Sequence, residues 1–562
     1  MAKKAKRLKP VPAQPVHTGS AAAWTLDPAR LSLPIVFAAV LALHLLLMWA
    51  VFNPTIFTGG DNGVYVALSR SLLQGEYASI HDPTHSPHTL YPPGYPAILA
   101  LASLVGVGPW VPIKVLGAFF AAVGVAFTCL WARRHTTAGI ALSVSVLVAM
   151  SPGILGRAQE ELSDVPFWAF AMIVLWALDG LPRGDTRRTM IGGAATAVAY
   201  LTRTAAIPLV VAAVGWLVWE RRWRQLAIYA AFIVPAVLGW TLWSNAQAAA
   251  DLTYGAYANV FWLKDHYNPS LGAASFLDIF LRIFTNTERY GVVMIPLLLT
   301  GRREGAIALL GFGLIAFSIV GWARRVRRPG LVEVFFPLYA GMLAVLPPPW
   351  AGERYLLSIY PVALAYAGQA VVSVMTGLQP RARTLAGGTA VALIALIAAQ
   401  PLAASARVGS FCREAFSRGE RYACLGPAWQ DYFAMADWAR AALPEDAVMI
   451  SRKPGLFYAL SDRMGIDIPK TPDSDEYLRT AETAGARYVI LDQLDALTAQ
   501  YSIPVLQSYP GSFCLVRMEE VPGAAVLGIR WELPRANEPA NPERQIPLSP
   551  CPEHFARAAV DP

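Results

Sequence analysis

Residues 31–52 read LSLPIVFAAVLALHLLLMWAVF, an apolar run of the length a helix needs to cross a bilayer, roughly 20 residues. Just beyond it, residues 58–77 read TGGDNGVYVALSRSLLQGEY. Asp61 is thus placed at the far mouth of a membrane-crossing helix, after two glycines that let another group approach closely. The apolar pattern recurs along the chain: of 562 residues, 55% are hydrophobic and only 15% charged. That composition belongs to a polytopic helical membrane protein and excludes an ordinary soluble domain.

Lys3, Lys4, Lys6, Arg7 and Lys9 assign the N-terminal tail, residues 1–30, to the cytoplasm by the positive-inside rule. Most of the net charge of +8 lies in short basic turns between apolar runs: Arg133–Arg134, Arg183–Arg188, Arg221–Arg224, Arg324–Arg328 and Arg381–Arg383. Orienting helices accounts for these cations, and no nucleic-acid partner is needed. Keeping the turns inside gives about 11 transmembrane helices. The runs are 31–52, 110–132, 138–153, 163–180, 189–202, 204–219, 225–246, 305–323, 331–348, 354–375 and 385–403. The stretch 189–219 is split because one long helix would put either RGDTRR (183–188) or ERRWR (220–224) outside, whereas two short helices leave Arg203 at an outward apex.

The same parity gathers the polar features on the outer face: the loop 53–109, GRAQEELSD (156–164), LTRT (201–204), a loop of about 247–304, PPPWAGERY (347–355), and everything after residue 405. Within the first loop, residues 62–74 carry Val64, Tyr65, Leu68 and Leu72 on one helical face, with Gly75 as a stop. This segment is expected to lie flat at the membrane interface, and 92–107 forms a second such element. Tyr254, Tyr257, Phe261, Trp262, Tyr267 and Phe276 of the long loop are expected at the same depth.

After residue 405 the long apolar runs give way to short strand-like pieces, DAVMIS (446–451), ARYVILD (486–492), SFCLVRM (512–518) and AAVLGIRW (524–531). Helical stretches are expected at about 428–442 and 474–484. Residues 405–533 read as a small α/β domain outside the membrane, and 534–562 as a proline-rich tail. Four of the five cysteines fall here, Cys412, Cys424, Cys514 and Cys551, as suits two disulfides in an oxidising compartment. Of three possible pairings, Cys412–Cys424 with Cys514–Cys551 is the one expected.

Taken in order, GGDNGVYVALSRSLLQGEY (59–77), YPPGYPAILALASLVG (91–106), SPGILGRAQEELSDVPFWAF (151–170), GAATAVAYLTRTAAIPLV (193–210) and GERYLLSIYPVALAYA (352–367) resemble a known class. They are similar to the polyprenol-phosphate-sugar-dependent glycosyltransferases of GT-C type, in the group with protein O-mannosyltransferases and the lipid A aminoarabinose transferase. The resemblance covers about residues 30–375 and rests on the order of short motifs. It implies a GT-C-like helical core, residues 31–404, with its catalytic acid in the first outer loop. It also implies a polyprenyl-phosphate sugar donor, inversion at the anomeric carbon, and a lipid, glycan or protein acceptor. The enzyme would work at the outer face of the cytoplasmic membrane.

By this resemblance Asp61 is the base that takes the acceptor's proton, a task a carboxylate suits when the proton leaves late in an oxocarbenium-like transition state. Its structural alternative is to cap a helix starting at Asn62. Many relatives carry Asp-Glu here, whereas this chain has Asp61–Asn62, so a second carboxylate comes from elsewhere or is not required. Arg203, matching the family's LT(K/R), and Arg354, matching its RY pair, are expected to hold the donor phosphate. Their alternative is to snorkel from helix ends. Glu160, Glu161 and Asp164 are candidates for a second acid or an acceptor site, with solvated loop or helix cap as the plain alternatives.

Tyr65, His81, His88, Tyr91 and Tyr355 are candidate substrate contacts. HDPTHSPH (81–88) is dense in potential ligands, but its prolines and spacing put no set on one helix face. No metal site is assigned; divalent-metal dependence divides the resembling class. A transporter or lipid flippase is the main alternative function. It would place charges near the bilayer midplane, often in duplicated halves, and no repeat is visible here.

Overall fold

The structure, a computed structural model, describes residues 33–251, 261–265, 267–327, 329–350, 352–518, 523–533 and 549–556. Lys3 to Lys9, Tyr254, Tyr257, Arg328 and most of the tail 534–562 lie outside the described residues. Each apolar run carries a helix: Leu33–Val51, Val111–His135, Ala138–Ala149, Asp164–Leu178, Thr186–Thr202, Ile207–Trp219, Trp223–Gln247, Ala308–Arg325, Leu331–Val345, Tyr360–Val374 and Pro380–Ser417. Among the described residues five segments are long and apolar enough to cross a membrane by length and composition: Pro34–Val51, Val111–His135, Trp223–Gln247, Gly305–Arg325 and Pro380–Ser417. The protein is a multi-pass membrane protein.

Local chemistry explains several boundaries. Val111–His135 opens with a proline in its first turn and closes on Arg133, Arg134 and His135, which suit the negative end of the helix dipole. Arg203 is extended (φ −152°, ψ 130°) between Thr202 and the next helix, so the stretch 189–219 does break in two. The bundle core is built mainly from Ala, Val and Leu, with Trp168, Tyr229, Phe335, Tyr339 and Tyr360 almost fully buried among them.

Three expectations need correction. The last helix of the bundle does not end near residue 403 but runs from Pro380 to Ser417. Its alanine-rich sequence continues past the polarity change, and the stop comes at Gly419, whose φ of 90° a glycine accepts. Residues 276–289 of the supposed long loop form a helix with a Ser275–Asp278 capping box and an exposed face of Phe276, Leu277, Phe280, Leu281 and Phe284. Asp61–Leu73, expected to lie flat at an interface, is instead buried on most of its surface, with Asn62 to Ser69 and Ser71 enclosed by protein.

This helix is enclosed on one side by the helix Gly94–Leu104 and on the other by the C-terminal α/β domain. Five strands, β1 (Val448–Ile450), β2 (Met464–Ile466), β3 (Tyr488–Leu491), β4 (Phe513–Met518) and β5 (Ala525–Ile529), form one sheet in the order β2-β1-β3-β5-β4. The first three run parallel, and β5 and β4 are added antiparallel. Side chains alternate between two cores, as strand geometry dictates. Met449, Tyr488 and Val526 face the helices Pro427–Ala442 and Pro454–Ser461, while Ile450, Val489 and Leu527 face Ser474–Thr483 and Ile503–Ser508. Disulfides join Cys412 to Cys424 and Cys514 to Cys551. The first ties the end of the long helix to the start of this domain.

Candidate active site

The turn before Asp61 is made by glycine. Gly60 has φ 95°, which an L side chain rarely adopts. The helix then starts at Asp61 itself with no side-chain cap, and Asn62 Oδ1 accepts from the Gly60 amide at 3.1 Å. Asp61 is left for another partner, Arg354, whose Nη1 donates to its Oδ2 at 3.3 Å. About a third of the Asp61 side chain, 36%, is open to solvent, and 27% of Arg354.

Arg354 also donates through Nη2 to the Tyr355 hydroxyl at 3.0 Å and lies over the Tyr355 ring, 5.0 Å from its centroid. Arg203 lies over the same ring at 5.2 Å. It is more enclosed, 15% exposed, and donates to Asp164 Oδ2 at 3.0 Å and Ser163 Oγ at 2.9 Å. Ser163 in turn meets the Tyr65 hydroxyl at 2.9 Å. Two arginines and two aspartates thus surround one tyrosine at one end of the bundle. Asp164 opens the helix Asp164–Leu178, yet its carboxylate serves Arg203 rather than a cap.

The second-loop acids divide in their roles. Glu161 points inward: its Oε2 accepts from the Phe57 amide and from Asn62 Nδ2, both at 3.1 Å, and its Oε1 lies 3.6 Å from Lys114 Nζ. It is a strut under the first loop, and burial pushes its carboxyl up, opposed by Lys114. Both carboxylate oxygens of Glu160 accept from Arg157 Nη1 at 2.7 Å, and Arg157 Nη2 donates to Glu353. Burial pushes Glu160 up to about 7 against the pull of Arg157. Glu160 borders a cavity of ≈ 430 Å³ whose wall includes Asn53, Phe57, Thr58, Lys114, Gln159 and Ser405.

His81 and His88, in the second half of the first loop, are buried. His88 Nδ1 meets Ser79 Oγ at 3.0 Å, and its ring lies 5.3 Å from that of Tyr91. Burial pushes His81 down to about 4 and His88 to about 3, so both are neutral at physiological pH. Tyr91 and Tyr95 each pack on Tyr65 at 4.9 Å, joining this layer to the Asp61 helix. The structure therefore brings Asp61, Tyr65, Asp164, Arg203, Arg354 and Tyr355 together, with Glu160 beside them. It buries Glu161, His81 and His88.

Residues 91–244 match the dolichyl-phosphate-mannose-protein mannosyltransferase family. No curated protein matches the chain. Among solved structures, ArnT from Cupriavidus metallidurans in the apo state matches with a TM-score of 0.53 and 14% identity, over 88% of this chain and 97% of that one. The same protein bound to undecaprenyl phosphate matches at 0.50 and 14%, over the same shares. The Archaeoglobus fulgidus oligosaccharyltransferase tethered to an acceptor peptide matches at 0.52 and 14%, over 89% and 74%. The fold is that of the GT-C glycosyltransferases.

Several groups that build this end of the GT-C bundle were given no role in the sequence reading: Lys114, Arg157, Ser163, Glu353 and Lys453. Ser163, Arg157 and Glu353 flank residues already singled out, so adjacency could have found them. Lys453 has no such signal. It lies in the α/β domain, and its Nζ donates to the Gly59 carbonyl at 3.0 Å across 394 residues of chain.

Proposed function

We propose that the protein is an inverting membrane glycosyltransferase that moves a sugar from a polyprenyl-phosphate donor to a lipid, glycan or protein acceptor. The observation that carries this reading is the Asp61–Arg354 pair, about one-third open, sharing Tyr355 with Arg203. In the reaction the acceptor oxygen bonds to the anomeric carbon while the bond from that carbon to the phosphate oxygen breaks. The bonding electrons leave with the polyprenyl phosphate, and the acceptor's proton passes to Asp61. Arg354 and Arg203 meet the charge that grows on the leaving phosphate, where preorganised cations in a partly dry site act strongly.

Asp164 holds Arg203 in place, and Glu161 holds the Asp61 loop. The cavity beside Glu160 is of a size that takes a sugar-like group and shares Phe57 and Thr58 with the catalytic loop, which favours it as the acceptor's approach. By the positive-inside argument this end faces away from the cytoplasm, with the α/β domain outside the cytoplasmic membrane. The deciding experiment supplies purified protein in detergent with a panel of radiolabelled polyprenyl-phosphate sugars and cell-envelope extract, for wild type and Asp61→Asn. Transfer by wild type, lost in the variant while donor binding persists, supports the reading. Donor binding without transfer by wild type overturns it in favour of a flippase.

A further inference from the structure

The helix that begins with Asp61 is not held by the membrane bundle alone. Its outer side is locked to Pro454–Ser461 of the α/β domain through two small residues. A Cβ at Gly63 would collide with the backbone of Leu456, and one at Gly455 would come within 2.6 Å of the Val64 side chain. Arg70 pairs with Asp462 at 3.0 Å, and the Gly465 amide donates to the His81 carbonyl at 2.8 Å. These contacts dock the domain. Lys453 does something different, because it touches the glycine turn itself. Its ammonium bonds the Gly59 carbonyl at 3.0 Å, and its chain lies so close to Gly60 that an added Cβ would come within 2.6 Å of Lys453 Cδ.

We infer that Lys453 is a positioning residue for Asp61, so that the α/β domain completes the catalytic loop rather than merely covering it. This rests on the role proposed above for Asp61. A two-glycine turn is intrinsically loose, and a base must be held to within a fraction of an ångström of its working geometry. Asn62 and Glu161 hold the residues on either side from within, and Lys453 adds a restraint on the Gly59 carbonyl from the α/β domain. Arg452, Asp61, Asp467 and Asp495 are the charged groups that bear on its ammonium; burial and Arg452 push its pKa down, and Asp61 pulls it up.

The test uses full-length Lys453→Met, which keeps the chain length and removes the ammonium. Hydrogen–deuterium exchange of residues 57–66 should rise with exchange elsewhere unchanged, and kcat should fall about tenfold or more while the donor KM stays within about twofold. Gly63→Ala, which disturbs docking without touching the turn, should instead lower Tm and speed exchange on both sides of the interface. Unchanged exchange and kcat in Lys453→Met would overturn the inference while leaving the transferase reading intact. If wild type binds donor but never transfers, the transferase reading fails, and the exchange result alone decides: a rise confined to 57–66 keeps the restraint, and no change removes it.

Discussion

The two ends of the helical bundle are both rich in arginine, but they use it differently. At the end carrying the basic turns, the cations are spent on the scaffold. Arg134 and Arg188 donate to the Trp176 carbonyl, Arg325 to the His135 carbonyl, and the Arg325–Glu333 pair closes at 2.8 Å over a Glu333 that is 5% exposed. Asp179 there accepts from the Trp131 indole at 3.1 Å and lies 3.2 Å from His135. These bonds finish helix ends and satisfy buried acids. At the opposite end Arg354 makes one bond to a carboxylate that is one-third open, and lies with Arg203 over a shared ring. Charge that is fully used holds a fold together. A carboxylate left one-third open, as Asp61 is where Glu333 is 5% exposed, can act on a ligand.

Substitutions at the two ends should therefore separate activity from stability. Asp61→Asn is expected to lower kcat on the order of a thousandfold with Tm unchanged, measured by transfer from a radiolabelled donor and by thermal unfolding in detergent. Arg354→Met should cost about a hundredfold in kcat/KM by the same assay. It should also weaken donor binding, which the Asp61 variant should not. At the other end, Glu333→Gln should cost about 1–3 kcal/mol of stability and leave kcat per folded molecule within about twofold. A large kinetic defect there would erase the contrast between the ends.

The smallest effect expected is a pH dependence at Glu160. Burial holds its carboxyl at about 7, above the unfolded 4.5. A raised carboxyl stabilises the fold fully below pH 4.5, and that contribution is lost as pH rises through about 7. The stability of wild type relative to Glu160→Gln should fall across that window, measured by Tm in buffers of matched ionic strength.

Local pattern in the sequence carried much of this architecture. Apolar runs and basic turns located the helices, down to the break at Arg203, and the motif around Asp61 marked the end where the acids and arginines converge. Local pattern also misled where packing overrode it. The face Val64, Tyr65 and Leu68 looked suited to a membrane surface, but it is covered by the α/β domain and by Tyr91 and Tyr95. Glu161 looked like a loop acid and is a buried strut, because Asn62, where many relatives have Glu, donates to it instead of repelling it. Lys453 was invisible, since nothing in its neighbourhood announces a contact made across most of the chain.

The most direct measurement follows the bonds themselves. Wild-type protein would be given an identified polyprenyl-phosphate sugar and its acceptor, and the products examined by NMR for the configuration of the new linkage and by mass for the released lipid. The expected result is polyprenyl phosphate released one for one with a glycoside of inverted configuration, as a single displacement with Asp61 as base requires. Retained configuration would contradict that role for Asp61, and intact donor would contradict the transferase itself.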